Sequence, residues 1–464
     1  MPPRRVDLKT GTDCNCNCVF CVIGDQLFQG ERPLGDCVQE LELSRETCDD
    51  VVFTGAEVTI RPDFLDLVRA AKKLGYRRIQ IQTNGRMLAY PEFARKAVAA
   101  GANEFSPSIH GHEAKLHDGL VRAPGSFEQI VQSIRNLKAL GQRVITNTVV
   151  TRQNARHLPA IARMLVDLKV DQFQIAFPHP TGHAATYFDV VVPRVSDVDA
   201  FIHEALAVGV RAGVPCMAEA MPYCRMTGFE RHVAELFIPP TEIVYDGFVV
   251  PDYARDRMDR GKTRFEGCAP CRWEPVCEGP WRGYPERMGS EEFVPVAGPR
   301  VVDARLLLDD RFGLLGTPAS RFAELEAATA PWVAVVFYAE EGSPACAIEL
   351  AGLSAAEADL AARGIAVVPV CGMDRRDLAE AYSAWREGPL RSTYVLDSER
   401  RIAHVVTDVD VHGHAGQIGD VVGRLTAPPR PLAKRPDLVL IRSKDGRREP
   451  MLPAEVAHLA ELEP

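Results

Sequence analysis

The stretch "TDCNCNCVFCVIG" at residues 12–24 places four cysteines close together. Three of them, Cys14, Cys18 and Cys21, have the spacing C-x3-C-x2-C. Three thiolates can hold three irons of a [4Fe–4S] cube and leave the fourth iron open to another ligand. A structural zinc ion would take a fourth protein ligand, which Cys16 could supply within the same loop. The stretch therefore predicts a metal-binding loop, and the choice of metal depends on the surrounding sequence.

The composition is that of a globular protein with ordinary cores. The chain has 464 residues, 46% of them hydrophobic, and a net charge of −9, so it is long enough for two or three domains and lacks the basic excess of a nucleic-acid binder. No apolar run reaches the roughly 18 residues of a membrane span, and no secretory signal follows the N-terminal arginines. We therefore expect a cytoplasmic protein with neither nucleic acid nor membrane partners. Because disulfides rarely persist in that compartment, the 13 cysteines indicate metal ligands or reactive thiols.

Helical segments that end near glycine alternate with short β-rich segments in the first half of the chain. Alternation of this kind implies a parallel sheet with crossover helices, and six units are fewer than the eight of a closed barrel. We therefore predict an α/β fold with a partial (β/α)6 TIM-like barrel, whose chemistry lies at the carboxyl ends of the strands. The predicted strands are 4–10, 51–54, 78–83, 105–110, 143–150 and 172–177.

An aromatic residue within the cysteine triad and three motifs at the ends of later predicted strands add to this pattern. Phe20 directly precedes the last cysteine, "GAE" ends the strand at 51–54, and "QTNG" and "SIHG" end the next two. With the triad, these motifs resemble the radical S-adenosylmethionine (SAM) superfamily over roughly residues 5–210. The resemblance implies that the triad binds a [4Fe–4S] cluster whose open iron chelates SAM.

The same resemblance assigns contacts to SAM, with an aromatic ring on adenine, the "GAE" stretch at the methionyl ammonium, and later strands at the rest of the cofactor. The residues at those positions are Phe20, Gly55, Ala56, Glu57, Asn84 and Ser108. Two features depart from the family pattern. Ala56 replaces a glycine, which a backbone contact should tolerate, and Cys16 is an extra thiol that we interpret as a non-ligand.

The chemistry implied by the resemblance is radical abstraction from a substrate. An electron donor such as flavodoxin or ferredoxin would reduce the cluster, and reductive cleavage of SAM would give methionine and a 5′-deoxyadenosyl radical. That radical would abstract a hydrogen atom from a small metabolite or a peptide, leading to rearrangement, crosslinking, epimerisation or sulfur insertion. The protein's task is to position SAM and one substrate hydrogen and to shield the radical.

A second group of cysteines lies in a Cys-, Pro- and Gly-rich region. Cys268, Cys271 and Cys277 have the spacing C-x2-C-x5-C, which resembles the core of the SPASM and Twitch extensions that bind auxiliary [4Fe–4S] clusters. Trp281 occupies the place of a further cysteine in a full SPASM region, so the resemblance implies one auxiliary cluster, as in a Twitch domain. The family pattern makes Cys224 the expected fourth ligand.

Two alternatives remain open for this second group. Cys216 is the rival to Cys224 as fourth ligand, although it looks more like the end of a strand. A four-thiol zinc site could combine Cys18 and Cys21 with Cys268 and Cys271. That alternative would make the protein a zinc-stabilised binding protein rather than a radical enzyme.

A third thiol stands in the C-terminal part of the chain. Cys346 follows an apolar strand and begins a predicted helix, whose N-terminus favours a thiolate. "RSTYVLD" downstream resembles a strand of peroxiredoxins over about residues 300–427, which implies a thioredoxin-like fold with Cys346 as the active thiol, Ser343 as its hydroxyl and Arg391 as its cation. Ala339 replaces the expected proline, and Cys371 is the one obvious resolving partner. An active thiol and a degenerate binding domain both remain open.

These assignments divide the chain into four parts. We predict a radical SAM partial barrel at 1–212, a Cys-rich auxiliary-cluster extension at 213–297, a C-terminal thioredoxin-like α/β domain at 298–427, and a Pro-rich linker and tail at 428–464. The main hypothesis is a radical SAM enzyme with one auxiliary [4Fe–4S] cluster that anchors substrate or relays an electron. The alternative is a thiol peroxidase or redox sensor that depends on Cys346 and uses the clusters as relays.

Overall fold

A nine-stranded sheet forms the first half of the structure, a computed structural model that describes residues 4–432 and the backbone of 439–442 and 448–451. The strand order is β7-β6-β5-β4-β3-β2-β1-β8-β9, and neighbours are parallel except for β8 and β9. The strands are β1 Arg5–Lys9, β2 Asp50–Thr54, β3 Arg78–Thr83, β4 Glu104–Pro107, β5 Arg143–Val149, β6 Gln172–Ala176, β7 Cys216–Glu219, β8 Thr241–Tyr245 and β9 Phe248–Val250.

The six predicted strands are confirmed, but the sheet does not end with them. β7 is too short to show a periodicity, and Cys216 begins it rather than ending a strand. β8 comes from the Cys-rich region and pairs with β1 on the side away from β2. The predicted boundary at 212–213 therefore cuts through the sheet, which is three strands larger than the predicted six-stranded barrel.

Along the strands, side chains alternate between the hydrophobic core and the inside of the curved sheet. In β3, Ile79 and Ile81 are buried in the hydrophobic core, whereas Gln80 and Gln82 line a cavity. The helices outside the sheet are α1 Leu34–Ser44, α2 Phe64–Lys73, α3 Pro91–Ala100, α4 Ala114–Val121, α5 Ser126–Ala139, α6 Leu158–Asp167, α7 Gly182–Thr186, α8 Phe188–Val191 and α9 Val195–Ala212. The partial barrel thus has an apolar outer layer and a polar interior.

The Cys-rich region has little regular structure beyond β8 and β9. Its helices are the short α10 Tyr253–Asp256 and α11 Pro285–Met288. Large aromatic side chains such as Trp273 and Tyr284 are nevertheless fully buried there, in the same core cluster as the barrel. This region therefore packs on the barrel rather than forming a separate unit.

A second, four-stranded sheet begins after residue 331. Its order is β11-β10-β12-β13, in which β10 and β11 are parallel and β12 is antiparallel to both of its neighbours. Helices cover both faces, so this part is a three-layer α/β/α unit. The elements are α12 Ala323–Ala327, β10 Trp332–Tyr338, α13 Pro344–Ala355, α14 Glu357–Ala362, β11 Ile365–Cys371, α15 Arg376–Ala381, β12 Ser392–Leu396, β13 Ile402–Val406 and α16 His414–Thr426.

The predicted linker and tail at 428–464 fall only partly within the described residues. Residues 427–431 are not a free linker, because the side chains of Arg264 and Arg300 donate hydrogen bonds to the carbonyls of Ala427, Arg430 and Pro431. Beyond them, β14 Val439–Arg442 and β15 Arg448–Met451 form an antiparallel pair. Residues 1–3, 433–438, 443–447 and 452–464 lie outside the described residues. Within the part that is described, no helix has the length and apolar character needed to span a bilayer.

Candidate functional site

The cysteine loop begins at the carboxyl end of β1 and is closed at its base. Thr12 donates its backbone N–H to the Gly30 carbonyl at 3.0 Å, and Phe28 donates back to the Thr12 carbonyl at 2.9 Å. Arg61 is buried and donates to the carbonyls of Thr10 and Arg32, at the two ends of the loop. The cysteine loop is therefore held at both ends. Arg61 was not predicted from the sequence, because nothing in its local pattern distinguishes it from a surface arginine.

Cys14, Cys18 and Cys21 are half-buried and lie near one another. Burial raises the pKa of the Cys18 thiol, and the proximity of Cys14 and Cys21 raises it further. Cys16 differs, since it is buried against Val121 and Ala123, and its backbone N–H donates to Cys14 Sγ at 3.4 Å. The Cys14 and Cys16 side chains are also in hydrogen-bond contact, which raises the pKa of Cys14, and Cys14 and Cys18 pack against the same apolar cluster as Cys16. The structure therefore brings all four thiols of the loop together, with Cys16 the most deeply buried of them.

A segment distant in sequence supports the other side of the cysteine loop. The backbone N–H of His183 donates to the Cys21 carbonyl at 2.8 Å, and His183 Nδ1 lies 2.9 Å from the Cys18 carbonyl. Gly182 has a φ of +52°, and a Cβ there would lie 2.5 Å from the carbonyl oxygens of Cys21 and Val22. Gly182 and His183 were not identified from the sequence, although a "TGH" turn after a strand was available as a signal.

The "GAE" stretch docks on the cysteine loop through its backbone. Gly55 has a φ of +115°, and a Cβ there would lie 2.6 Å from the Gly11 carbonyl oxygen. The N–H of Ala56 donates to that same carbonyl at 3.0 Å, and the N–H of Glu57 donates to the Asp13 carbonyl at 3.0 Å. Because the Ala56 contact uses only the backbone, replacing glycine by alanine leaves it intact.

The Glu57 side chain is buried and is held mainly by the protein itself. Its Oε1 accepts hydrogen bonds from the Thr59 N–H at 3.1 Å and from the hydroxyls of Thr59 and Thr83, and its Oε2 accepts from the Asn84 N–H at 2.5 Å. Burial raises the pKa of Glu57, while these hydrogen bonds oppose that rise. Because Oε2 accepts a single hydrogen bond from the protein, it has the capacity to accept one more hydrogen bond.

Asn84 connects Glu57 to the cysteine loop. Its Nδ2 donates to Asn15 Oδ1 at 2.6 Å and lies 3.8 Å from Cys14 Sγ. Arg86, two residues later, donates to the Asn15 carbonyl and, through Nε, to Gln129 Oε1 at 2.7 Å. The "QTNGR" turn thus fixes the loop beside the first thiol, and Arg86 is a further residue that the sequence analysis missed.

A cavity of about 960 Å³ occupies the inside of the curved sheet, and Phe20 and Val22 of the cysteine loop are among its lining residues. Phe20 lines it, is 8% exposed and meets His110 edge-on, with 4.5 Å between the ring centres. Ser106 on β4 also lines it, but Ser108 does not, since it lies beyond the end of the strand and bridges to Asn147. Of the two serines, the structure therefore places Ser106 at the cavity.

Aromatic side chains from two regions form one wall of the cavity. His179 follows β6 and stacks on Trp281 of the Cys-rich region, with 3.9 Å between the ring centres. Lys262 is fully buried, with its ammonium 4.0 Å from the centre of the Trp281 ring. Burial, and then the Lys262 charge, lower the pKa of His179 to about 4, so this ring is neutral at pH 7. The Cys-rich region therefore helps to build the cavity.

A second group of thiols lines a smaller cavity. Cys224, Cys268, Cys271 and Cys277 surround it together with apolar side chains that include Phe265, Trp273 and Phe293. Burial raises the pKa of Cys277 to about 11, and the neighbouring Cys268 and Cys271 contribute to that rise. Four thiols in an apolar setting are the donor set that a [4Fe–4S] cluster uses.

The two rival ligand sets do not come together. Cys216 lies in β7, where its Sγ donates to the Leu206 carbonyl at 3.4 Å. Cys18 and Cys21 belong to the first loop and do not line the cavity of Cys268 and Cys271, so the mixed zinc site is contradicted. Between residues 4 and 432, no three histidine, cysteine or carboxylate side chains are grouped as ligands of one metal ion.

The C-terminal thiol lies at the N-terminus of α13. Ser343 caps this helix, accepting from the Cys346 N–H at 3.3 Å, and Arg391 donates to Cys346 Sγ at 3.0 Å. Burial alone would raise the pKa of Cys346, but hydrogen bonds from the Glu340 and Ala339 backbone and from Ser343, together with the Arg391 charge, lower it below its usual value. The structure thus brings together all three residues predicted for this site.

A buried ion network that the sequence analysis missed stands behind Arg391. The fully buried Glu349 lies 3.3 Å from the Arg391 guanidinium and 2.8 Å from His414 Nδ1. Cys371 ends β11 in the same apolar cluster as Tyr338 and Cys346, and its Sγ lies 4.0 Å from the Ala339 carbonyl. Both thiols are therefore near the same stretch of backbone.

Comparisons with known proteins identify the first part of the chain. Residues 8–165 match the family described as the Radical SAM superfamily. An AdoMet-dependent heme synthase of Oleidesulfovibrio alaskensis is 35% identical over 185 residues, 39% of this chain and 47% of that protein. The mycofactocin maturase MftC of Mycobacterium ulcerans is 30% identical over 213 residues, 43% of this chain and 53% of the relative. The chain thus contains a radical SAM domain and spans about half the length of these curated relatives.

A solved structure is similar at low identity. Streptococcus suis SuiB bound to S-adenosylmethionine is 14% identical, covers 63% of this chain and 76% of its own, and gives a TM-score of 0.48. A TM-score of this size supports neither the fold nor the function. The family match ends before Cys224, so it does not include the second group of thiols or the C-terminal sheet.

Replacing Glu57 by alanine should destabilise the protein. The change leaves the Thr83 hydroxyl and the N–H groups of Thr59 and Asn84 buried without their acceptor, at a cost of about 3 kcal/mol in the free energy of unfolding. Urea denaturation measures this loss. The control is Glu92→Ala, which removes an exposed carboxylate that pairs with Arg95. Equal stability of the two variants would contradict the role assigned to Glu57.

Replacing Arg391 by glutamine should raise the pKa of Cys346. The guanidinium stabilises the thiolate, so its loss should slow alkylation of Cys346 near neutral pH and move the pH profile upward. Mass spectrometry of the Cys346 peptide after timed alkylation measures this rate. Arg376→Gln, which removes an exposed guanidinium from α15, should leave the profile unchanged. A profile that stays the same in Arg391→Gln argues against the proposed contact.

Proposed function

We propose that this chain uses its radical SAM domain to cleave SAM reductively and to abstract a hydrogen atom from a substrate in the barrel cavity. The observation that carries the proposal is the loop of Cys14, Cys18 and Cys21, which is closed at its base and contributes Phe20 and Val22 to the lining of a cavity of about 960 Å³. Cys14, Cys18 and Cys21, with the more deeply buried Cys16 as a neighbour rather than a ligand, would fit a [4Fe–4S] cluster that keeps one iron for SAM. When bound, that cluster supplies the electron that cleaves SAM to methionine and a 5′-deoxyadenosyl radical.

The chain's own residues would position SAM and shield the reaction. Phe20 lines the cavity and would pack on adenine, and the Gly55–Ala56 backbone together with the free capacity of Glu57 Oε2 would receive the methionyl ammonium. Asn84 would hold the loop in place, and Ser108 or the cavity-lining Ser106 would contact the ribose or carboxylate. Side chains of the sheet and of the Cys-rich region line the cavity and would limit contact between water and the radical.

We also propose one auxiliary [4Fe–4S] cluster, held by Cys224, Cys268, Cys271 and Cys277 in a Twitch-like extension. Its support is the shared cavity lined by the four thiols and the separation of Cys216 from it. Gly279 lines the cavity of the four thiols, and Trp281, two residues later, lines the barrel cavity. Because Trp281 contributes to the wall of the barrel cavity, we propose that the auxiliary cluster anchors a substrate or accepts an electron there.

The side chains that line the cavity indicate the general class of substrate. Its lining includes both signs of charge and many amides, so a polar small metabolite or a peptide segment would fit. Flavodoxin or ferredoxin would serve as electron donor in the cytoplasm. The relatives are named for haem synthesis and for mycofactocin maturation, a range that supports either substrate class.

A second function, thiol-based redox chemistry, is favoured by the Arg391 contact with Cys346. The sheet order β11-β10-β12-β13, with one parallel and two antiparallel pairs, supports the thioredoxin-like interpretation of this unit. Ser343, Cys346 and Arg391 would then act on a peroxide or a disulfide. In the thiol peroxidase alternative this site is the principal one, and the clusters only relay electrons.

Replacing Cys18 by alanine should abolish SAM cleavage, whereas Cys16→Ala should retain most of it. Cys18 is one of the three proposed ligands, whereas Cys16 is a neighbouring thiol buried against Val121 and Ala123. The measurement is 5′-deoxyadenosine formed anaerobically with SAM and dithionite. Loss of the product in Cys16→Ala but not in Cys18→Ala would reverse the assignment of the ligands.

Replacing Cys346 by serine should leave SAM cleavage and iron content unchanged. The site lies on the second sheet, and its contacts are within that unit. If 5′-deoxyadenosine formation disappears in Cys346→Ser while the iron content stays that of the wild type, the barrel-centred function is wrong. The thiol-centred alternative would then be favoured.

A further inference from the structure

Three arginines converge on one buried carboxylate beside the second group of thiols. Glu274 is 2% exposed, and its oxygens lie 2.6 Å from Arg264, 2.7 Å from Arg300 and 3.3 Å from Arg430. A single carboxylate balances one of these guanidinium charges. The group formed by Arg264, Glu274, Arg300 and Arg430, which we call the arginine cluster, therefore has a net charge of +2.

The arginine cluster borders the cavity of the four thiols. Arg264 and Glu274 line that cavity together with Cys224, Cys268, Cys271 and Cys277. Arg430 donates to the backbone carbonyl of Cys277 at 2.7 Å and to the carbonyl of Glu274. The positive charge thus lies directly against the backbone of one proposed ligand.

The charged residues that directly follow Cys277 and Cys224 do not cancel this excess. Glu278 follows Cys277, but both of its oxygens pair with Arg257, at 2.7 and 2.6 Å. Arg225 follows Cys224 and pairs with Asp199. Each of these pairs is neutral, so the arginine cluster is a local surplus of positive charge.

The chain reaches this position from beyond its second sheet. Arg430 lies four residues after the end of α16, and the carbonyls of Ala427, Arg430 and Pro431 accept hydrogen bonds from Arg300 and Arg264. The backbone N–H of Arg430 donates to Glu274 at 3.0 Å. The segment after the C-terminal domain is therefore anchored to the auxiliary region.

We infer that the arginine cluster raises the reduction potential of the auxiliary cluster, and that Arg430 supplies part of this effect from the segment after the C-terminal domain. A [4Fe–4S]²⁺ core with four thiolates carries a charge of −2, and one added electron makes it −3. Because a surplus of positive charge stabilises the −3 state more than the −2 state, it favours reduction. Arg430 is thus a positioning and charge-balancing residue rather than a ligand.

This inference rests on the proposed auxiliary cluster, and the experiment separates the two. The full-length chain with Cys14, Cys18 and Cys21 replaced by alanine leaves the auxiliary site as the one to titrate. Iron and acid-labile sulfide are measured first, and the midpoint potential then follows from a dithionite titration monitored by electron paramagnetic resonance. About four irons per chain support the proposed cluster; without them, the proposed function of this site fails and the inference fails with it.

Arg430→Gln should lower the equilibrium constant for reduction about tenfold, a shift of about 59 mV to more negative potential for one electron. Arg430→Lys keeps the charge and should give a smaller shift, and the exposed Arg376→Gln should give none. If Arg430→Gln loses its iron, Arg300→Gln tests the same charge from another position. An iron-replete Arg430→Gln with the parent's midpoint, or an Arg430→Lys shift as large as that of Arg430→Gln, would overturn the inference.

Discussion

The close approach of Gly55 to Gly11 is the constraint on which the first site depends. With a φ of +115° and the Gly11 carbonyl where a Cβ would stand, position 55 accepts little other than glycine. This contact brings the end of β2 against the start of the cysteine loop, so that the next two N–H groups can bond to it. Arg61 then secures both ends of the loop, and Asn84 and Arg86 hold its middle. The position of the thiols is therefore set by backbone contacts from the end of β2 and by side-chain contacts from Arg61, Asn84 and Arg86, which follow β2 and β3.

The buried Glu57 shows how the same contacts serve both folding and chemistry. Its carboxylate joins the ends of β2 and β3 through Thr59, Thr83 and Asn84, and one oxygen retains capacity for another donor. A residue with both roles gives an ambiguous result when it is mutated, because activity and stability fall together. The backbone contacts of Ala56 are simpler, since the side chain takes no part in them.

Sequence alone predicts those features that repeat or that have a fixed spacing. The six strands, the grouping of Cys14, Cys18 and Cys21, and the partners of Cys346 follow from short-range patterns and from the family resemblance. What the sequence did not reveal depends on contacts between distant segments. β8 joins the sheet beside β1 from more than 200 residues away, Gly182 and His183 support the cysteine loop, and Arg430 reaches Glu274 from beyond the second sheet. A lone arginine or a four-residue strand carries no periodicity, so these contacts need the three-dimensional structure.

The central claim is that the two groups of thiols hold two separate iron–sulfur clusters. The lining of the second cavity and the mutual proximity of the first three thiols support two sites, and the mixed zinc set that would join them is not assembled. The most direct test is the iron, zinc and acid-labile sulfide content of the anaerobically purified, reconstituted chain. We predict about eight irons and about eight sulfides per chain, the content of two [4Fe–4S] cubes. Zinc without iron, or no more than four irons in a fully reconstituted sample, would contradict this account.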